Sequence, residues 1–430
     1  MLRRVSVHLG EQRIKIGTLA FDDRKPHASQ FCYETVWLMN PEAFAVSPDL
    51  PLTAGWHFVN DAGRKSPFPL AFSDTEPDRW GRQVMLRAFR KSGIAGRSLC
   101  ALDFLLGVDD FARTGALRFA LDDEAIEGSG QGRRRTPPLI DLGKIARTTQ
   151  RFELQQETLE DLNYLEGKGT SLGGARPKCS VIDADGRLAL GKFPSVDDSR
   201  DISKGEILGL KLAQASGLEA AQGRVVRIDG TSIAVIKRFD RTDDGTRIPY
   251  WSFDTFLART QLDWPPVSYG ALYALLRTHA APDKIRELAE NLQKRLLLNY
   301  LINNADDHGR NTGLLMSNEG LWQLSPAFDI NPEPLARPDE HYRSKAFLTD
   351  DWGECQGPED LLQTLPDFEL PPAAAAKAWQ AVIAAVENWR RIAQHPDVGM
   401  SASDIRDYAP AFSPVRLSRA KAALRRLQQS

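Results

Sequence analysis

A chain of 430 residues, 42% hydrophobic and 26% charged, is long enough for two or three globular units with substantial cores. Its net charge of −2 excludes a general electrostatic drive toward nucleic acid or anionic membrane, so any partner must be recognised locally. The four cysteines, Cys32, Cys100, Cys179 and Cys355, show no paired spacing, which suits a reducing compartment without a disulfide framework. Met1-Leu2-Arg3-Arg4 runs straight into strand-like residues rather than a signal h-region, and no apolar run approaches the ~20 residues of a membrane span. The expectation is a cytoplasmic protein with no membrane partner.

The chain begins with alternation at Val5 to Leu9 and at Ile14 to Leu19 around a polar turn, which predicts a hairpin. Pro77 and the acids of Asp74 to Asp78 precede an amphipathic run, Gln83 to Lys91, as at a helix start. Leu102 to Val108 reads as helix and Gly115 to Ala120 as strand, together a small α+β unit. It ends in Gly128 to Pro138, a stretch rich in Gly, Pro and arginine that reads as a solvated linker.

Gly167 to Lys178 follows, rich in glycine, and leads into a strand at Cys179 to Asp183 and a second at Leu188 to Phe193. Glycines let backbone N–H groups approach an anion closely. The spacing is not that of a Walker A loop. Lys192 on the returning strand supplies a cation for the α- and β-phosphates of a nucleotide. Ser203 to Glu206 opens a helix that ends near Gly217. Two readings of Glu206 stand: partner of Lys192, or an acid favoured by the helix macrodipole. Strands at Arg224 to Ile228 and Ser232 to Arg241 come next. The exit of the second is the place for a hinge, where backbone groups can read a base edge and Phe239 packs on the base or on the core.

From Phe253 the pattern turns helical, with Tyr269 to Arg277, Lys284 to Asn303, Pro372 to Ala393 and Pro414 to Gln429 as the clearest segments. Arg295 to Ile302 is apolar nearly all round and should be buried. It delivers Asn303-Asn304-Ala305-Asp306-Asp307-His308-Gly309-Arg310-Asn311, after which a hairpin around Asn318-Glu319-Gly320 carries Ala327-Phe328-Asp329. The five-residue offset from Asp306 to Asn311, with a second acid beyond a hairpin, matches the catalytic loop and metal-binding acid of phosphoryl-transfer enzymes. Competing readings are turn and cap residues, a zinc site at His308, and a metal-dependent phosphatase or nuclease. Arg416, Arg419, Lys421, Arg425 and Arg426 read as a solvated helix face.

These residues together resemble the HipA-like serine/threonine kinases, the toxin halves of bacterial type II toxin-antitoxin pairs. The resemblance covers almost the whole chain. It rests on Asp306-x-His308-x-x-Asn311, Ala327-Phe328-Asp329, Ser171-x-Gly173-Gly174-Ala175, Lys192 and Arg238-Phe239-Asp240-Arg241. Pro177 before Lys178, and Lys237 before the arginine segment, depart from the family pattern. The resemblance implies an α+β, bilobal protein-kinase-like fold. Residues 1–135 would form an N-terminal subdomain, 136–240 a β-rich ATP-binding lobe, and 241–430 a mainly α-helical lobe.

It further implies ATP- and Mg2+-dependent transfer to a protein hydroxyl. Asp306 is the base, His308 an orienting residue, and Asn311 and Asp329 the metal ligands. Ser171, Gly173, Gly174, Ala175, Lys178, Lys192, Lys237 and Phe239 fall to ATP binding, and Ser171 to autophosphorylation. Implied partners are a HipB-like helix-turn-helix antitoxin, operator DNA through that antitoxin, and a substrate such as an aminoacyl-tRNA synthetase. A kinase-fold corepressor and a small-molecule kinase stand as alternatives.

Overall fold

A computed structural model of the chain describes residues 2–60, 63–93, 98–121, the backbone of 125–126, 141–165, 176–258, 267–336, 342–351 and 353–429. The opening alternation becomes β1 (Leu2–Leu9) and β2 (Ile14–Asp22), paired antiparallel with Val5 opposite Leu19. With β3 (Ala28–Tyr33), β4 (Trp56–Asn60), β5 (Leu117–Leu121) and β6 (Ala125–Ile126) they form an antiparallel sheet in the order β4-β3-β2-β1-β5-β6. Asp78 caps the helix Arg79–Lys91 by accepting from the Gly81 N–H at 2.7 Å.

A second antiparallel sheet, ordered β7-β8-β10-β9, comprises β7 (Lys178–Ile182), β8 (Leu188–Lys192), β9 (Gly223–Ile228) and β10 (Thr231–Lys237). Successive side chains of a strand point to opposite faces, and β10 shows the consequence. Ile233 and Val235 join one core with Leu142, Ile145, Phe152 and Trp80, while Ala234 and Ile236 join another with Ile207 and Leu208 of the helix Ile202–Ala215. The sheet is therefore covered on both faces, on one of them partly by the helix Arg79–Lys91 of the first unit.

The third sheet is small: β11 (Tyr250–Ser252), β12 (Gly313–Met316) and β13 (Trp322–Leu324). Its hairpin was expected, but β11 was not, because three residues carry too little pattern. Helices dominate the rest, and the helix Ile285–Leu301 is buried at every residue from Arg295 to Leu301. The class is α+β, as expected. Among the described residues no helix is long and apolar enough to cross a membrane.

Three expectations need correction. The strand predicted to reach Arg241 stops at Lys237, because Arg238 turns its guanidinium back onto Asp240 at 2.8 and 2.5 Å and Arg241 reaches carbonyls of the first unit. The helix predicted over 372–393 breaks at Asn388, whose side-chain amide donates to the Ala384 carbonyl at 2.9 Å, leaving Pro372–Glu387 and Trp389–Ala393. The C-terminal cations are not a uniformly solvated face. Arg416 is buried and donates to the Tyr300 carbonyl and Asn303 Oδ1, while Arg419 pairs with Glu359 and Lys421 with Glu387.

Candidate active site

Lys192 ends β8 on the sheet face that carries Leu190, with Ile236 of β10 opposite Leu190. Its ammonium lies 2.5 Å from Glu206 on the helix Ile202–Ala215 and 2.9 Å from Asp329. The structure thus selects the pairing reading of Glu206; the helix N-cap is Asp201, which accepts from the Lys204 N–H. Burial disfavours the Lys192 charge, but Asp329 and Glu206 outweigh it and hold the ammonium above the ordinary lysine range. Burial likewise opposes the Asp329 charge, yet Lys192 holds that carboxyl below the usual range and therefore ionised. Glu206, more deeply buried, is pushed upward by desolvation against the pull of Lys192.

Asp329 sits at φ +56°, a left-handed conformation that short polar side chains tolerate better than most. Ala221 and Ala327 hold the segment before it against the second sheet, through Ala221 N–H to Ala327 O at 2.9 Å and Ala327 N–H to Glu219 O at 2.8 Å. Lys178 stands directly opposite Lys192 across the β7–β8 register, an arrangement of like charges that ordinarily destabilises a sheet. Separate acids relieve it, since Lys178 pairs with Asp78 at 3.0 Å. Lys178, on the same sheet face as Lys192, is buried against Asp78 and is not among the described residues lining the cleft.

That cleft opens to solvent and spans about 720 Å3, the solvent at its mouth included. Leu190, Ile236, Phe239, Tyr250 and Phe328 supply its apolar lining, with the Phe239 and Phe328 ring centroids 5.3 Å apart; Lys192, Glu206, Asn311 and Asp329, together with Asp74, Arg238 and Arg310, supply its polar and charged lining. Lys237 lines it too, its ammonium 3.4 Å from Asp185. The N–H groups of Lys237 and Arg238 donate to the Gln222 and Leu188 carbonyls, so those two donors are already paired.

The loop after the helix Ile285–Leu301 separates its two acids. Asp306 is exposed and bonded to Lys345, whereas Asp307 is buried and accepts from Tyr269 Oη at 2.8 Å and Asn299 Nδ2 at 3.0 Å. Asn311 donates from Nδ2 to the Asp306 carbonyl at 2.8 Å, which joins the exposed acid to the cleft lining. His308 Nδ1 accepts from the Arg310 N–H at 3.2 Å and so shapes the loop from within. Ser171, Gly173, Gly174 and Ala175 lie outside the described residues.

Several lining residues escaped the sequence. Asp74, from the first unit, accepts from the Ser252 N–H at 2.8 Å and Oγ at 2.9 Å, and no local motif signals that role. Arg310 was inside the quoted loop, where its cationic side chain was the available clue.

For a metal, Asp329 and Asn311 both line the cleft, where the carboxyls of Glu206, paired with Lys192, and Asp74, bonded to Ser252, have other partners. Among the described residues no cluster of three or more His, Cys, Asp or Glu could cage an ion. Such a sparse set fits Mg2+, which keeps few protein ligands and takes the rest from phosphate oxygens and water.

Fold and cleft define a two-lobed, kinase-like α+β protein. Residues 170–390, just over half of the chain, match the HipA-like C-terminal domain, and the chain belongs to that family. It is similar, at 25% identity over 323 residues covering 70% of this chain and 71% of the relative, to the Sinorhizobium fredii protein named "Putative kinase Y4mE". Its fold is similar to a chain of the Shewanella oneidensis MR-1 toxin-antitoxin complex of HipA, HipB and its operator DNA, with a TM-score of 0.65 at 15% identity over 99% of this chain and 98% of that one. A weaker likeness, TM-score 0.46 at 16% identity over 60% of this chain and 94% of the other, is to the Helicobacter pylori proinflammatory kinase CtkA.

Proposed function

We propose that the chain is an ATP- and Mg2+-dependent serine/threonine protein kinase. The observation that carries the reading is Lys192 bridging Glu206 and Asp329 in a cleft that combines charged with apolar lining. A nucleotide needs that polarity: a base among Leu190, Ile236, Phe239 and Phe328, and phosphates beside Lys192. Asp329 and Asn311 would hold the metal, which supplies charge neutralisation on the phosphates when bound. Asp306, outside the lining but tethered to Asn311 through its carbonyl, would take the proton of an incoming hydroxyl. Its exposure suits a macromolecular acceptor, which must dock from solvent. Asp307 keeps a structural role behind the loop.

Family membership supports the finer reading of a growth-arresting toxin whose substrate is a translation component such as an aminoacyl-tRNA synthetase. The Shewanella relative's complex with HipB and operator DNA supports a HipB-like antitoxin, with operator DNA contacted through it. Ser171 is the proposed autophosphorylation site, and the proposed units are 1–135, 136–240 and 241–430. The test is titration of ATP with and without Mg2+, followed by mapping of label from radioactive ATP. Mg2+ should strengthen ATP binding in wild type by about tenfold or more and do so far less in Asp329→Asn, with label on Ser171. Equal Mg2+ dependence in both proteins, or label only elsewhere, would count against these assignments.

A further inference from the structure

We infer that Lys345 supplies the positive charge that stabilises the transferring phosphoryl group on the acceptor side of the cleft, an inference that rests on the kinase reading above. Its ammonium bonds Asp306 Oδ1, and both side chains are 61% exposed. An ion pair in so much water is weak and readily opened, so it does little for the fold. What it does is place a cation at the proposed base. Between Asp306 and Asn311 the loop carries Arg310, which stands 4.0 Å from Asp254, and the other described cations at the cleft have other partners as well: Lys192 binds Glu206 and Asp329, Lys237 Asp185 and Arg238 Asp240, while nearby Lys178 binds Asp78. Among the described residues, Lys345 is the cation paired with Asp306.

The backbone around Lys345 is fixed although its side chain is not. Three residues before it, buried Tyr342 donates from Oη to the Asn304 carbonyl at 3.1 Å; two residues after it, the Phe347 N–H donates to the Val267 carbonyl at 2.7 Å. Tyr342 thereby ties the segment to the same loop that carries Asp306. A long side chain on an anchored backbone can leave a carboxylate for a phosphoryl oxygen brought beside it.

In the step itself, the acceptor hydroxyl passes its proton to the Asp306 carboxylate and its oxygen bonds to the γ-phosphorus. The bond from that phosphorus to the bridging oxygen breaks, and ADP leaves with the bonding pair. Lys345 keeps its protons throughout and faces the charge on the equatorial oxygens, which is where a phosphoryl transition state needs it.

The test compares wild type, Lys345→Met and Lys345→Arg for the rate of label transfer at saturating ATP and Mg2+, and for the Kd of a fluorescent ATP analogue. Lys345→Met should transfer about 10- to 100-fold more slowly while binding the analogue within about threefold of wild type, and Lys345→Arg should recover most of the rate. Transfer by Lys345→Met within about twofold of wild type, faster transfer, or losses of rate and affinity in equal measure would each overturn the assignment while leaving the kinase reading intact. A wild type that labels neither itself nor any lysate protein would overturn the kinase reading, and this role with it.

Discussion

Asp74 and Asp307 are carboxyls buried beside the cleft, and burial raises both above the ordinary aspartate range, against the pull of Arg310 on the first and of Tyr269 on the second. A folded-state pKa above the unfolded one means that the native chain binds the extra proton. Its contribution to stability is full below the unfolded value and is lost as pH rises through the folded value, at about 1.4 kcal/mol per unit of difference. Asn can replace Asp74 with little change of shape, accepting from the Ser252 N–H and donating to its Oγ. Asp74→Asn should therefore gain stability relative to wild type as pH rises from about 4 to 8, read from urea midpoints across that range. A difference that does not vary with pH would show that Asp74 does not titrate there. Spacing to Asn311 is local information, and on it the sequence proposes Asp306 rather than Asp307 as the base. It could not decide Glu206, since an acid in a first helical turn and an acid beside Lys192 look alike until the helix is docked. Arg416 was misread for a related reason: its charge is visible in the chain, whereas the Tyr300 carbonyl that buries it is 116 residues away.

Among the elements, the helix Ile202–Ala215 brings Glu206 to Lys192 in the cleft, and a glycine lets it approach. A Cβ on Gly209 would stand 2.0 Å from the carbonyl oxygen of Ile330, the residue after Asp329. That neighbour is backbone, so it cannot swing aside. Gly209→Ala should push Asp329 away from Lys192 and Glu206, lowering stability by roughly 1–3 kcal/mol and weakening Mg2+-dependent ATP binding along with it. Urea unfolding and ATP titration check the two effects; a variant equal to wild type in both would mean that the contact is not needed. The long helices and the first hairpin were legible because their hydrophobic periods run for many residues. β11 and the break at Asn388 were not, since pairing with β12 creates the one and a side-chain bond to the Ala384 carbonyl ends the other.

At the scale of the whole molecule, the first unit is fastened to the segment that leaves β10. Buried Asp240 holds Arg238 at 2.5 Å and Arg241 at 2.8 Å and accepts from the Gly115 N–H at 2.8 Å. Arg238 donates to the Ala112 carbonyl, Arg241 to that of Arg113, and Arg247 pairs with Glu11. Breaking such a network leaves buried cations without compensation. Asp240→Ala should cost about 3–5 kcal/mol in urea unfolding, and a loss under about 1 kcal/mol would show the network to be dispensable. The Arg-Phe-Asp-Arg segment was visible as a family element, but its role in joining units was not, because its partners lie more than 100 residues earlier. The same distance hid Asp74, which the first unit contributes to the cleft lining.

The central claim is that Asp306 serves phosphoryl transfer from a nucleotide held at Lys192 and Asp329. Its most direct test is the rate of label transfer from radioactive ATP, measured beside ATP affinity, in wild type and Asp306→Asn. The expected result is label on protein with wild type, at least about 100-fold slower transfer with Asp306→Asn, and ATP affinity unchanged within about threefold. Transfer by Asp306→Asn at the wild-type rate, or none by wild type to itself or to any lysate protein, would contradict it.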